Sequence, residues 1–276
     1  MKDTDKHKKE IIDYYNSSRW LYQYFWYSKS SLGLHFGIDG DESESIDQSI
    51  INQYELLIKL GRINKNSIVL DAGCGVGGAS LYIAKQTGAQ IYGISIVDDQ
   101  VVIANKHKIS RGVNNAHFSN QDFTNTNFKT GYFDLVFGIE SVCYAYPKRA
   151  FLKEAYRIIK PGGKLIIIDG YKKRKPSSDL ELTIDKDFCH GWKLREMIKI
   201  KDMQKEVKAV GFDIEQTEDL TPRIGKTLKR FGWLWRLGSL VQFLPGVKDN
   251  VRAIKNVIAG VKCSLYGYYL IVATKR

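Results

Sequence analysis

From Ser67 onward the chain alternates short apolar runs with helical patterns, and this alternation is the feature that most constrains its fold. Helical patterns near residues 78–87, 98–111 and 147–159 separate runs that have the length and composition of strands. The strand-like runs are "SIVLDAG", "AQIYGISI", "NAHFSN", "FDLVFGIE" and "GKLIIIDG", and two more follow near the end of the chain, "GFDIEQTEDL" and "YGYYLIVATKR". Strands that alternate with helices form parallel sheets, so the sequence predicts an α/β fold.

The segments around this alternating region predict lids. We expect an N-terminal helical lid over residues 1–62, a core over 63–170, a lid insertion and helix over 171–210, and C-terminal strands with a basic helical cap over 211–276. Residues 8–30 form a helical stretch that is unusually rich in aromatics. These are Tyr14, Tyr15, Trp20, Tyr22, Tyr24, Phe25, Trp26 and Tyr27. Aromatic residues on more than one side of a helix are better explained by a lid that covers an apolar pocket than by a single buried stripe.

The net charge of +12 is concentrated in the C-terminal part of the chain. Residues 1–170 contain 20 Lys/Arg and 18 Asp/Glu, whereas residues 171–276 contain 22 and 12. Such an excess suits nucleic acid, an anionic membrane, an acidic substrate or simply a solvated lysine-rich surface. The four cysteines form no CxxC pair, and the N-terminus lacks the apolar stretch of a secretory signal. We therefore expect a cytoplasmic protein with reduced thiols and no metal site.

A glycine-rich loop, "VLDAGCGVGG", follows the first strand and has the spacing Gly73-x-Gly75-x-x-Gly78 of a dinucleotide-binding loop. A NAD site also needs an acidic residue at the end of the second strand, but the last polar residue within that strand is Ser95. Asp71 would add a negative charge beside a pyrophosphate, whereas it suits a ligand with an ammonium and a sulfonium group. The loop therefore favours S-adenosylmethionine over NAD.

The chain resembles the class I S-adenosylmethionine-dependent methyltransferases. "VLDAGCGVGG" resembles their first motif, and "FDLVFGIESVCYAY" and "IIKPGGKLIIIDGY" resemble the fourth strand and the loop and strand that follow. The resemblance implies a Rossmann-like, seven-stranded, mostly parallel sheet with an antiparallel C-terminal strand, helices on both faces, an aromatic N-terminal lid and an inserted helical cap. "LGLHFGI", "GISIVDDQ" and "IESVCYA" further resemble the enzymes that act on sterols, tocopherols and geranyl diphosphate. Val97-Asp98-Asp99 departs from the Ser-Pro of that group.

The resemblance assigns cofactor contacts to positions of this chain. Asp71, Gly73 and Gly75 would line the methionine end of S-adenosylmethionine, and Ser95 and Gln100 would approach its ribose. Asp122 would accept a hydrogen bond from the adenine amino group, with Phe123 beside the ring and Ile139 at the end of the fourth strand. The alternative is a purely structural role, since a Ser at a strand end or an Asp at a helix N-terminus often serves only as a helix cap.

Glu140, at the carboxyl end of the fourth strand, lies where sheets of this type bind ligands. In the sterol and prenyl-diphosphate relatives the matching Glu is thought to remove a proton after the methyl group adds to an alkene. The alternative is that Glu140 pairs with a lysine or caps a helix. His35 and His190 are the other candidate bases, His35 being favoured because the resemblance places its segment over the cofactor, and each histidine can instead be structural. Predicted pocket residues are Tyr15, Trp20, Tyr24, Tyr144 and His190.

The segment "IGKTLKRFGWLWRLGSLVQFLP" predicts an amphipathic helix with Ile224, Leu228, Phe231 and Trp235 on one face. That face can bury in the core, roof a lipophilic site or rest on an anionic membrane. The last option would make the protein membrane-peripheral.

The sequence thus predicts an S-adenosylmethionine-dependent methyltransferase that releases S-adenosylhomocysteine. The expected acceptor is a small lipophilic molecule, an isoprenoid, a sterol-like compound or another natural product, with methylation at carbon favoured. The alternatives are O- or N-methylation of a small polar metabolite, an RNA methyltransferase, a NAD-linked oxidoreductase and a cofactor-binding regulator. "GIESVCY" differs from the Asn/Asp-Pro-Pro-aromatic pattern of enzymes that methylate base amino groups, which weakens the nucleic-acid alternative. The oligomeric state cannot be predicted from the sequence.

Overall fold

A single mixed sheet organises the protein. The computed structural model describes residues 3–22, 24, 30–40 and 44–276. Its strands are β1 Ile68–Ala72, β2 Gln90–Ser95, β3 Ala116–Asn120, β4 Phe133–Ile139, β5 Ile159–Lys172, β6 Phe212–Asp219 and β7 Tyr266–Lys275. They lie in the order β3-β2-β1-β4-β5-β7-β6, with β7 antiparallel to both of its neighbours and the other pairs parallel. The predicted sheet is confirmed, including its antiparallel C-terminal strand.

Helices connect the strands and cover both faces of the sheet. They are α1 Asp3–Leu21, α2 Ile46–Gly61, α3 Gly78–Thr87, α4 Asp98–Ser110, α5 Lys148–Ile158, α6 Asp179–Gly191, α7 Ile200–Val210, α8 Gly225–Leu240 and α9 Val247–Lys262. Local capping explains two of the boundaries: Ser45 accepts a hydrogen bond from Gln48 N before α2, and Ser178 accepts one from Glu181 N before α6.

Two apolar clusters form the core, one on each face of the sheet. The first joins β4 and β5 to α2 and α3 and continues into α6, α8 and α9, with Leu57, Ile83 and Ile166 fully buried. The second packs α5 and α7 on the other face around residues such as Leu152 and Met203. The predicted insertion over 171–210 therefore contributes α6 to the cap formed with α8 and α9, and α7 to the opposite face.

The apolar stripe of α8 faces inward. Ile224 and Phe231 are almost fully buried, and Leu228 and Trp235 pack against the first core cluster. The core-facing alternative is therefore the one that this stripe adopts, and Ile224 also lines a cavity described below. No helix in the described part of the chain combines the length and the apolarity that a bilayer crossing requires.

Candidate active site

In the loop between β1 and α3, Gly73 and Gly75 both have a positive φ, but only Gly73 of the two is also crowded by its neighbours. Gly73 has a φ of +101°, and a Cβ atom there would lie 2.4 Å from the Cβ of Ser141. Gly75 has a φ of +52°, but a Cβ atom there would meet nothing nearer than Leu34 Cδ1 at 3.9 Å. Gly73 therefore allows the loop to pack against the end of β4, and Gly75 opens the backbone onto free space.

That space is a cavity of about 300 Å³ at the carboxyl ends of the parallel strands. The cavity contains every residue that the sequence assigned to the cofactor. These are Asp71, Gly73, Gly75, Ser95, Gln100, Asp122, Phe123 and Ile139. Their convergence is a product of topology, since the carboxyl ends of β1, β2, β3 and β4 meet at one edge of the sheet. Their contact with a cofactor stays a prediction.

Asp71 is a buried carboxyl at the end of β1. Its Oδ2 accepts a hydrogen bond of 2.7 Å from Ser80 Oγ. Burial raises the pKa of Asp71 to about 7, and the hydrogen bonds from Ser80 only partly oppose that rise. A cationic ligand in the cavity would restore the charged form, so the carboxyl suits an ammonium group.

Ser95 and Gln100 are joined at the start of α4. Ser95 Oγ donates to Gln100 Oε1 at 2.8 Å and accepts a hydrogen bond from Val97 N at 3.1 Å. The serine thus shapes the turn before α4, but it does not cap the helix, whose N-cap residue is Val97 and has no side-chain cap. Both side chains still line the cavity, so the turn is compatible with hydroxyl recognition by Gln100.

Asp122 carries a negative charge at the far end of the cavity. Its Oδ1 accepts hydrogen bonds from Thr124 N and Oγ1, and its Oδ2 lies 2.5 Å from Lys8 Nζ of α1. Burial raises the pKa of Asp122, but the hydrogen bonds from Lys8 and Thr124 outweigh it, and the net pKa is lowered. Phe123 next to it is fixed by an edge-on contact with Phe151. The pair offers a hydrogen-bond acceptor and an aromatic face to a purine.

Glu140 connects this cavity to a smaller inner one of about 80 Å³ and lines both. Its backbone has a φ of +47°, in the left-handed region that residues with a Cβ rarely adopt. Oε1 accepts hydrogen bonds from Phe36 N at 2.6 Å and from Tyr268 OH at 2.9 Å. Burial raises the pKa of Glu140 to about 8, the Phe36 hydrogen bond opposes the rise, and the nearby Asp169 charge adds to it.

Asp169, in β5 directly after the last residue that pairs with β4, is a second buried carboxyl in the inner cavity. Its two oxygens accept hydrogen bonds from Cys143 N at 2.7 Å and from Gly170 N at 2.8 Å. Burial raises the pKa of Asp169 to about 6, against the effect of these two backbone donors. The sequence interpretation missed this residue, although its position directly after "KLIII" marks the carboxyl end of a parallel strand.

Aromatic side chains form nearly half of the remaining inner wall. Tyr15 of α1 donates a hydrogen bond of 3.2 Å to Tyr144 OH, and both residues line the two cavities. Among the described residues, eight aromatic ones line the inner cavity, namely Tyr15, Tyr22, Phe36, Tyr144, Phe188, Trp192, Tyr266 and Tyr268. Only Tyr15 and Tyr144 were predicted there, because the others come from lid, cap and β7 segments whose approach depends on tertiary packing.

His35 lines the larger cavity but is held by the protein at both ring nitrogens. Nδ1 lies 2.8 Å from Phe36 O, so it must carry the proton, and Nε2 lies 3.2 Å from Tyr54 OH. Burial lowers the pKa of His35 to about 4, which keeps the ring neutral. The ring holds the "LHFG" segment in place, and with it the Phe36 N–H that donates to Glu140 Oε1. This geometry favours a positioning role for His35.

Three predicted pocket residues lie away from both cavities. Trp20 donates a hydrogen bond from Nε1 to Pro245 O, Tyr24 is 74% exposed, and His190 is exposed on α6. The aromatic residues Phe25, Trp26 and Tyr27 lie outside the described residues. The sequence interpretation also missed His7, which is buried at the larger cavity with no hydrogen-bond partner for either ring nitrogen among the described residues.

Residues 70–167 match the family described as "Methyltransferase domain". Sterol 24-C-methyltransferase ERG6B of Gibberella zeae is 30% identical over 261 residues, which cover 91% of this chain and 65% of that protein. The chain thus spans less than two thirds of that relative.

Two solved structures share the fold. The cyclopropane synthase MmaA2 from Mycobacterium tuberculosis has a TM-score of 0.85 at 14% identity, with 98% of each chain covered. Geranyl diphosphate C-methyltransferase from Streptomyces coelicolor, in complex with Mg²⁺, geranyl diphosphate and S-adenosyl-L-homocysteine, has a TM-score of 0.77 at 18% identity, also with 98% of each chain covered.

The described residues contain no group of three or more His, Cys, Asp or Glu that could hold a metal ion. The expected absence of a metal stays a prediction, since a structural relative was solved with Mg²⁺. The glycine loop, the cavity at the strand ends and the matched domain all indicate the same family. The chain belongs to the class I S-adenosylmethionine-dependent methyltransferases, is related in sequence to the sterol 24-C-methyltransferases, and shares the fold of geranyl diphosphate C-methyltransferase.

Proposed function

We propose that the protein methylates an alkene carbon of a small lipophilic acceptor, such as an isoprenoid or a sterol-like molecule. The observation that carries the proposal is the composition of the inner cavity. Eight aromatic residues and the two carboxyls of Glu140 and Asp169 line it, and none of its lining residues is Lys, Arg or His among those described. Such a wall suits an apolar body that acquires positive charge during the reaction.

The same wall argues against a diphosphate group in the inner cavity. Proteins bind phosphate groups with Arg, Lys, backbone N–H groups or a metal ion. The Asp169 carboxyl, with a pKa of about 6, is mostly ionised at neutral pH and would repel a diphosphate there. An acceptor with a diphosphate, as in the structural relative that binds geranyl diphosphate, would have to place that group elsewhere.

The larger cavity fits S-adenosylmethionine. Asp71 would receive its ammonium group, Gly75 would let the backbone approach it, and Asp122 and Phe123 would receive the adenine. When bound, S-adenosylmethionine supplies an electrophilic methyl group on a sulfonium. Tyr15, Leu34, Glu140 and Tyr144 line both cavities and therefore define the passage where donor and acceptor would meet.

Within that passage the residues orient the alkene, exclude water and remove a proton. The alkene's π electrons would form the new carbon–carbon bond to the methyl group as the bond from that methyl to sulfur breaks. The broken bond's electron pair would stay on sulfur, giving S-adenosylhomocysteine and leaving a carbocation on the neighbouring carbon of the acceptor. The aromatic rings stabilise this cation, each by about 0.5–2 kcal/mol. A proton next to the cation passes to Glu140, and its C–H electrons restore a double bond. Holding the reacting atoms at roughly 3–3.5 Å in a dry site is the main contribution of the protein.

Glu140 must be ionised to accept that proton. Its pKa of about 8 in the free protein falls when a cation lies beside it, because opposite charges favour the ionised carboxylate. Tyr268 OH and Phe36 N, which donate to Oε1, also favour the charged form. The proposed base is therefore active when the donor is bound, and its proton affinity is matched to a neutral-pH reaction.

The test is turnover with methyl-deuterated S-adenosylmethionine and a panel of acceptors: sterols with a side-chain alkene, isoprenoid alcohols, and the matching isoprenoid diphosphates. We expect methylation at carbon of sterols or alcohols, with loss of one acceptor proton. Glu140→Gln should lower kcat by roughly 10²–10⁴-fold, the usual contribution of a positioned base. Glu55→Gln, a surface carboxyl that only receives a hydrogen bond from Tyr82, is the matched control and should leave kcat unchanged.

Other products would contradict the proposal in distinct ways. A methyl group on oxygen or nitrogen would favour the O- or N-methyltransferase alternative. Turnover restricted to the diphosphates would refute the argument from the inner cavity. Full activity of Glu140→Gln would remove its role as a base and leave the rest of the site intact.

A further inference from the structure

A ridge of apolar side chains lies exposed on α8. Trp233, Leu237 and Leu240 follow one another at helical spacing on one face of the helix, and they are 57%, 41% and 76% exposed. Phe243, just beyond the end of α8, is 83% exposed. We call Trp233, Leu237, Leu240 and Phe243 the α8 ridge. It is separate from the buried stripe of Ile224 and Phe231, which lies on the opposite side of the same helix.

The α8 ridge is continuous with a basic surface. Residues 224–248 contain no Asp or Glu and five cations, namely Lys226, Lys229, Arg230, Arg236 and Lys248. Lys229 lies one turn before Trp233 and Arg236 three residues after it, on the same face of α8, and both are exposed. A helix that presents cations beside Trp and Leu on one surface has the composition of an interfacial helix.

Charge decides which partner this surface fits. A second copy of the chain would bring two basic surfaces together, at a cost in electrostatic repulsion. An anionic bilayer instead neutralises Lys229 and Arg236 while the apolar side chains enter the boundary between headgroups and acyl chains. We propose that the α8 ridge docks the protein on an anionic lipid bilayer.

The contacts around the ridge connect it to the active site. Trp20 of α1 donates a hydrogen bond of 3.0 Å to Pro245 O, two residues after Phe243. Gly246 lies so close to α1 that an added Cβ would be 2.8 Å from Ser18 Oγ. The same helix carries Tyr15 into the walls of both cavities. A lipophilic acceptor dissolved in the bilayer would therefore meet the protein beside its lid, although docking itself does not depend on methyl transfer.

The test is co-sedimentation of the whole protein with vesicles of phosphatidylcholine and phosphatidylglycerol, compared with vesicles of phosphatidylcholine alone. We expect binding to the anionic vesicles at low salt, weaker binding as salt is added, and a blue shift of the tryptophan fluorescence. Leu240→Ser combined with Phe243→Ser should weaken binding by more than about tenfold, since two large side chains would no longer be buried. Reversal of either charge, Lys229→Glu or Arg236→Glu, should weaken it by at least about fivefold.

Ile109→Ser is the matched control, because Ile109 is 79% exposed on α4, away from the ridge, and its loss should not change vesicle binding. Unchanged thermal unfolding and S-adenosylhomocysteine binding of the ridge variants will show that they are folded. The proposal is overturned if the protein does not bind anionic vesicles at low salt, or if the ridge variants bind like the wild type. It is also overturned if the wild type is a dimer that the ridge variants dissociate, since the ridge would then be a contact between copies of the chain. A protein that methylates its acceptor yet fails these tests keeps its proposed function.

Discussion

Substitution of Gly73 by alanine tests how the glycine loop is held against β4. Two costs add at this position. A φ of +101° disfavours any residue with a Cβ, by about 1–2 kcal/mol. The new Cβ would also lie 2.4 Å from Ser141 Cβ and 2.9 Å from its Oγ, and overpacking of this kind costs about 1–3 kcal/mol. We expect Gly73→Ala to lower the free energy of unfolding by about 2–5 kcal/mol.

Two further variants separate these costs. Gly112→Ala introduces the same methyl group at a φ of +64°, where no atom of the described residues lies within 4 Å, so it should cost only the backbone part. Ser141→Gly removes both overlapping atoms, and the remaining atom, its Cα, would lie 3.7 Å away in ordinary contact. In urea unfolding, the double variant of Gly73 and Ser141 should show a coupling energy of about 1–3 kcal/mol. A Gly73→Ala cost equal to that of Gly112→Ala, or no coupling with Ser141, would refute the reasoning.

Three more predictions concern the ligand and pH. Gly75→Ala should lower the free energy of unfolding only by the roughly 1–2 kcal/mol of backbone strain, since the added Cβ has room. It should nevertheless weaken S-adenosylhomocysteine binding by more than about tenfold in calorimetry. Unchanged affinity would mean that the ligand does not approach the loop. Because burial raises the pKa of Asp71 to about 7 and a bound ammonium group would lower it, S-adenosylmethionine affinity should rise from about pH 6 to about pH 8, and Asp71→Asn should abolish this rise. Between pH 4.5 and about 8, Glu140 in the folded protein keeps a proton that the unfolded chain has lost. The free energy of unfolding should therefore fall as pH rises through this range, and the fall should be smaller in Glu140→Gln. Identical slopes for the two proteins would contradict the raised pKa.

The donor side of the site could be predicted from the sequence because local patterns determine it. Asp71 lies near the end of β1, and Gly73 and Gly75 follow that strand in the loop. Asp122 likewise follows the end of β3. Parallel strands bring their carboxyl ends to one edge whatever the details of the lids. The same rule would have found Asp169, which follows the last residue of β5 that pairs in parallel with β4.

The acceptor side could not be predicted in the same way. Tyr266 and Tyr268 come from β7, Phe188 from α6 and Phe36 from the segment before α2, and only tertiary packing brings them together. Conversely, Tyr24 and His190 have the right residue types but are exposed. Residue type alone does not show whether a side chain lines a cavity. A position at a strand end, or a known contact, is needed to fix where the side chain lies.

The measurement that tests the account most directly uses methyl-labelled S-adenosylmethionine, the purified protein and a host-cell extract, followed by partition into organic and aqueous phases. We expect label in the organic phase, in a compound whose mass and fragmentation place the new methyl group on carbon, and no such label with Glu140→Gln. Label confined to the aqueous phase, in RNA or in small polar molecules, would contradict the lipophilic acceptor and direct attention to the basic C-terminal part of the chain.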